Sequence, residues 1–317
     1  MAQVPAPITS ADVDAAEKRI RAWIRRTPTI EMGRGALGTD VDLVLKLECL
    51  QHTGSFKPRG AFNTVLAAEA RASRLVAASG GNHGAAVAHV GAQLGVPTDV
   101  YVPEVTPDIK RKRIAALGAS VHVDGALYDD AQLAANEAAA ASGAMLIHPY
   151  DAVTTIAGQA TCGRELIEQA GHLDVVVVAV GGGGFAAGIA LACAEISGAR
   201  LVTVEPEASA CLHAALAAGR PVDVSVSGIA ADSLGARRVG ELNWAVLGSA
   251  VAQSVLVPDD AIRAAQRELW RDLRLVAEPG GATALAALLL GQIDVAPTER
   301  VGVLVCGANT DPATVAA

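Results

Sequence analysis

Residues 175–194 read VVVVAVGGGGFAAGIALACA, twenty positions without a charge, and how they fold decides the class of the whole chain. The length suits a membrane span of about 20 residues. Gly181, Gly182, Gly183 and Gly184 stand in the middle, however, and four successive glycines would break a helix there. Residues 175–180 are β-branched apart from Ala179, as in a buried strand. The stretch therefore reads as strand, glycine turn, helix.

The same alternation continues outward. Strand-like runs lie at 43–47, 75–78, 99–102, 120–123, 145–148, 201–205, 254–257 and 301–306. Helical segments fall between most of them, at 83–94, 108–117, 129–142, 154–170, 185–196, 259–273 and 281–290. An opening helix can be capped by Thr9 or Ser10, with Asp12 and Asp14 in its first turn and Val13, Ile20, Trp23 and Ile24 near one face. Strand–helix alternation predicts α/β architecture with doubly wound, mostly parallel sheets. Nine strands are many for one twisted sheet, so two sheets are expected.

Composition agrees. Of 317 residues 51% are hydrophobic and 18% charged, which excludes a disordered chain. Phe, Trp and Tyr number only three each, so the apolar mass is aliphatic, as strands covered on both faces require. Glycine, at 32 residues, makes up about a tenth of the chain against a usual 7% or so. Net charge is −8, and no basic patch of the kind a nucleic-acid binder carries is visible. The densest basic runs, 18–26 and 110–113, read as solvated helix faces. Cys49, Cys162, Cys193, Cys211 and Cys306 are scattered, with no CxxC pair and no accompanying His cluster. They read as reduced thiols of a cytoplasmic protein rather than as a zinc site. The opening MAQVPAPITS has neither a basic start nor an apolar stretch, so no signal peptide is expected.

In open α/β sheets ligands bind beyond the carboxyl ends of the strands. Four such segments carry chemistry. Gly181–Gly184 and Phe185 open a helix, and bare N–H groups at a helix N-terminus suit a phosphate. Ser79-Gly80-Gly81-Asn82-His83-Gly84 follows another strand and could hold a second anion, with Asn82 either a hydrogen bonder at the rim or a helix cap. Thr53-Gly54-Ser55-Phe56-Lys57-Pro58-Arg59-Gly60 places Lys57 at a helix start, where the dipole lowers an amine's pKa, as a Schiff-base lysine needs. Val305-Cys306-Gly307-Ala308-Asn309 ends the last strand, where Cys306 is either a core thiol or a weak donor facing the crevice.

Together and in this order, these segments resemble the pyridoxal-phosphate enzymes of fold type II, the tryptophan synthase β-subunit class, in the serine/threonine dehydratase and serine racemase branch. The resemblance also rests on Lys46-Leu47-Glu48, His148-Pro149, Glu205-Pro206 and Glu278-Pro279-Gly280-Gly281-Ala282. It implies that Lys57 carries pyridoxal 5′-phosphate covalently and removes the substrate's α-proton. Phe56 packs beside the cofactor ring, Asn82 bonds its 3′ oxygen, Gly181–Gly184 and Phe185 hold the phosphate, Glu278 lies near the ring, and Cys306 faces the pyridine nitrogen. Ser79, Gly80, Gly81, Asn82 and His83 are implied to grip the substrate carboxylate. The implied reaction is β-elimination of the hydroxyl of a serine/threonine-type amino acid, giving a 2-keto acid and ammonia. The resemblance further implies a homodimer, a large domain of residues 1–73 and 152–317, and a small mobile domain of 74–151 inserted mid-chain.

Two positions choose within the branch. Racemases carry a serine two residues before the loop asparagine; here that position is Gly80, which favours the dehydratase. Cation-activated members carry an acid six residues after the Glu of the Glu-Pro pair; here it is Cys211, which leaves Glu205 a weak candidate ligand and no metal expected. A competing reading is an NAD-binding oxidoreductase, from Gly181-x-Gly183-x-x-Ala186 and Glu205 at the end of the next strand. It leaves the Lys57 and Asn82 loops unexplained.

Overall fold

The computed structural model describes residues 8–194 and 199–316. Two sheets form, as the strand count predicts. The larger runs β1-β2-β10-β7-β8-β9, from β1 (Thr29–Gly33), β2 (Asp42–Lys46), β7 (Val175–Ala179), β8 (Arg200–Pro206), β9 (Val251–Val257) and β10 (Arg300–Leu304). It is parallel except for the edge strand β1, which runs antiparallel to β2. The smaller sheet, β5-β4-β3-β6, is parallel throughout and uses β3 (Leu75–Ala78), β4 (Thr98–Val102), β5 (Ser120–Val123) and β6 (Met145–Leu146).

The helices that cover the sheets are α1 (Ser10–Ile20), α2 (Lys57–Leu66), α3 (Asn82–Leu94), α4 (Asp108–Ala116), α5 (Tyr128–Ser142) and α6 (Val153–Ala170). There follow α7 (Gly184–Ala194), α8 (Cys211–Ala218), α9 (Ala231–Leu234), α10 (Glu241–Ala250), α11 (Asp259–Leu273), α12 (Pro279–Leu289) and α13 (Ala313–Ala316). The expected 185–196 helix is α7, and its last two positions lie outside the described residues, as do residues 1–7 of the opening segment. Thr9 caps α1 through a reciprocal box with Asp12. No helix among the described residues is long and apolar enough to cross a membrane.

Strand β7 shows why the opening stretch folds as it does. Its side chains point alternately to the two faces of the sheet. Val175, Val177 and Ala179 pack into a core with Ala265 and Leu269 of α11 and Leu285 of α12. Val176, Val178 and Val180 pack into a second core with Ile156 and Leu166 of α6 and Ile189 of α7. A strand apolar on both faces needs a helix layer on each side, and both layers are present. Helices α6 and α7 approach closely because a Cβ at Gly188 would lie 2.6 Å from the Ala160 nitrogen, a distance only glycine permits.

Candidate active site

Lys57 is the first residue of α2. It follows a turn in which Thr53 (φ 60°) and Gly54 (φ 75°) are left-handed. Its Nζ donates to the Pro149 carbonyl at 2.8 Å and lies 5.1 Å from the Phe56 ring centre. Burial lowers its pKa from 10.5 to about 8, against the opposing pull of Cys306 and Glu278. Desolvation, rather than the helix dipole named from sequence, is thus the main cause. The consequence is the one sought, an amine with a substantial neutral fraction near neutral pH.

Arg59, two residues on, anchors this helix start. All five of its N–H groups are used: Nε and Nη2 on the Glu48 carboxylate, Nη1 and Nη2 on Glu165, and Nη1 also on Thr161. Lys46 completes the buried network with bonds to Glu165, Gln169 and the Thr27 carbonyl. Its three donors are spent on these bonds, whereas the Lys57 amine makes a single bond, to the Pro149 carbonyl.

Asn82 begins α3, but its side chain does not cap that helix. Its Nδ2 donates to Glu278 Oε1 at 2.6 Å, across 196 residues of sequence. This removes the helix-cap reading of Asn82. Glu278 is buried at the start of α12, and desolvation raises its carboxyl to about 7 despite the Asn82 bond. Cys306, also buried, donates its thiol to the Gly280 carbonyl at 3.3 Å, and burial pushes its pKa far up, so it stays protonated.

The glycine turn is shaped by its neighbours. A Cβ at Gly182 would sit 2.5 Å from the Tyr150 ring, and one at Gly184 would sit 2.4 Å from the Tyr150 carbonyl. Gly183 has φ +97° and lies against Asn243. Among the described residues, the N–H groups of Gly182, Gly183 and Gly184 meet no acceptor on the chain. They form an open cradle at the N-terminus of α7, an eleven-residue helix. Phe185, in its first turn, stacks on Phe56 with ring centres 4.0 Å apart. Pro149, which holds Lys57, and Tyr150, which backs the cradle, are consecutive, so the amine and the cradle are tied together.

In the substrate loop, Ser79 Oγ accepts from the Gly81 N–H at 3.1 Å. The His83 ring is buried on the Ile147 carbonyl at 2.8 Å, and burial lowers its pKa to about 3, so it is neutral. Thr106 fills the space above Gly80: a Cβ at that glycine would meet Thr106 Cγ2 at 2.6 Å and Oγ1 at 2.8 Å. Gly80, Gly81, Asn82, Glu278 and Asn309 line a small cleft of about 40 Å³. The cleft does not include Lys57 or the glycine turn in its wall. Lys110 and Arg113 also line it, which corrects the reading of 110–113 as a purely solvated face. Lys110 pairs with Asp232 at 2.6 Å, and Arg113 donates to the Thr53 carbonyl at 3.0 Å.

Glu205 is fully buried, and its two oxygens accept from the Leu212 and His213 N–H groups at the start of α8, at 2.8 and 2.7 Å. Each oxygen thus carries one bond from the chain's own backbone. Among the described residues no group of three or more His, Cys, Asp or Glu gathers in one place. Asn309 and Thr106 were not assigned roles from sequence. Asn309 stands in the Cys306-Gly307-Ala308-Asn309 stretch, but nothing in that pattern signals its partners. Thr106 is separated from Gly80 by helix α3 and strand β4.

The residues fit pyridoxal phosphate. A buried amine of lowered pKa, an open N–H cradle, a neutral thiol and an amide with a proton to spare are all present, and Ser55 Oγ is buried without a partner among the described residues.

Comparison with known proteins agrees. The family model described as pyridoxal-phosphate dependent enzyme matches residues 20–307. Phenylserine dehydratase of Ralstonia pickettii is 36% identical over 306 residues, covering 94% of this chain and 92% of that protein. The biosynthetic L-threonine dehydratase IlvA of Salmonella typhimurium is 38% identical over 290 residues, 90% of this chain. The chain spans about half the length of that relative, 56%. Maize serine racemase superposes with a TM-score of 0.91 at 31% identity, covering 97% of this chain and 95% of that one.

Proposed function

The chain belongs to the pyridoxal-phosphate dependent enzymes, and from that premise we propose that it is an ammonia-lyase acting on serine/threonine-type amino acids. The products would be a 2-keto acid and ammonia. When bound, the cofactor supplies an electron sink for the substrate's α-carbon. Lys57 is the residue proposed to carry it, and afterwards to take the α-proton on its freed amine. A group with a pKa of about 8 is suited to both tasks, being a competent nucleophile when neutral and a base near working pH. The N–H groups of Gly181–Gly184 and Phe185 would hold the phosphate. Asn82 would donate to the ring oxygen, with Phe56 and Glu278 beside the ring. Cys306, a neutral thiol, would meet the ring nitrogen without protonating it. Ser79, Gly80, Gly81 and Asn82 would bind the substrate carboxylate through N–H and amide groups. His83 would support that loop, its ring being committed to the Ile147 carbonyl.

The observation that carries this reading is the buried, pKa-lowered amine of Lys57 beside an unfilled N–H cradle. Elimination is preferred to racemisation because Thr106 occupies the space of a side chain at position 80. The test is keto-acid formation over a panel of β-hydroxy amino acids (serine, threonine, 3-hydroxyaspartate, phenylserine) with chiral analysis of residual substrate. Keto acid from at least one member, without fast inversion, is expected; inversion faster than keto-acid release would replace this reading with a racemase. A homodimer is the proposed state, as the resemblance implies, and five free cysteines fit a reducing, cytoplasmic setting; a monomer in sedimentation would remove the dimer.

A further inference from the structure

Asn309 follows the last strand and has no part in the function proposed above. Its Nδ2 donates twice, to the Thr53 carbonyl at 2.8 Å and to Asn82 Oδ1 at 2.5 Å. A backbone carbonyl can only accept. Thr53 therefore fixes which end of the Asn309 amide is nitrogen. The second proton of that nitrogen faces the Asn82 side chain, so the Asn82 atom it meets must be oxygen. The other end of Asn82, its NH2 group, is thereby turned to Glu278, where one proton is bonded. Its second proton has no acceptor on the chain among the described residues.

Asn309 is itself held firmly. The Ala308 N–H donates to the Gly54 carbonyl at 2.8 Å, and Ser55 bridges Gly307. A Cβ at Gly54 would lie 2.4 Å from Asn309 Oδ1, so the left-handed turn at 53–54 also makes room for this side chain. Glu278 cannot orient Asn82 by itself. Its carboxyl, raised to about 7 by burial, accepts when ionised and donates when protonated, and so fits either flip of the amide.

We propose that Asn309 is a positioning residue that sets the flip of the Asn82 amide, so that Asn82 presents a donor to the cofactor's ring oxygen. The proposal rests on the cofactor reading of this site. Holoenzymes of wild type, Asn309→Ala, Asn309→Asp, Asn82→Ala and the Asn82→Ala/Asn309→Ala double variant test it, by cofactor dissociation constant and by the absorbance spectrum of the bound cofactor. Losing the orienting bond should weaken cofactor retention roughly tenfold, the scale of one hydrogen bond. Asn309→Asp keeps the shape but has no donor for Thr53 or Asn82. It should reverse the flip, weaken retention more than Ala does, and shift the absorbance maximum as Asn82→Ala does. Adding Asn309→Ala to Asn82→Ala should change nothing further. Losses that multiply in the double variant, or a wild-type spectrum and affinity in Asn309→Asp, would overturn the proposal while leaving the cofactor reading intact. A wild-type chain that takes up no pyridoxal phosphate would overturn both.

Discussion

Glycine 80 shows how one residue's meaning changes when its neighbour is known. By sequence it is a missing side chain in a substrate loop. In the fold it is one half of a packed pair, because the Thr106 side chain lies where a Cβ would go. Gly80→Ser is therefore expected to destabilise the protein by about 1–3 kcal/mol, the usual cost of overpacking. Gly80→Ser combined with Thr106→Ala should recover most of that loss, read as the urea midpoint of each variant. Equal midpoints for the single and double variants would contradict the pairing. The roles of Lys57 and Asn82 could be anticipated because a lysine at a helix start and an asparagine after two glycines are unusual in themselves. Thr106 and Asn309 could not, since an ordinary threonine and a loop asparagine acquire their partners only through tertiary structure.

Among the elements, those with a strong period or a long apolar run were legible and several short ones were not. All nine expected strands form, most within one or two residues of their expected ends. Strand β1 was missed because TIEMG is short and lies on an antiparallel edge, half-buried along most of its length. Helices α8 and α10 were missed for a related reason. CLHAALAA is half alanine, which marks neither face of a helix, and it and ELNWAVLGSA are too short for a period to show. Helix α2 starts at Lys57, where the sequence places a helix start, and Arg59 binds that first turn to Glu48 and Glu165. Arg59→Ala should cost about 3–5 kcal/mol, since it leaves the fully buried Glu48 carboxylate without its ion-pair partner and Glu165 with Lys46 alone. Urea denaturation measures this, and a loss under about 1 kcal/mol would show that the network does not hold the helix.

On the scale of the whole molecule, the two sheets meet at the cleft through contacts that join distant parts of the chain. Asn82 reaches Glu278, Lys110 pairs with Asp232, and Arg237 lies 3.4 Å from Asp129. In each of the last two pairs the acidic partner is largely exposed, so they contribute little to stability, on the order of 0–1 kcal/mol each. We propose that residues 74–151 form a small domain that moves against 1–73 and 152–317, and that such weak links let it open and reclose. Small-angle scattering should show a smaller radius of gyration with a bound substrate analogue; no change would count against the motion. The central claim concerns Lys57, one of five lysines in the chain. Borohydride reduction of the protein loaded with pyridoxal phosphate, followed by peptide mapping, tests it most directly. The account predicts a phosphopyridoxyl group on the Lys57 peptide, with Lys46 unlabelled because its donors are spent; label on any other lysine, or none at all, would contradict it.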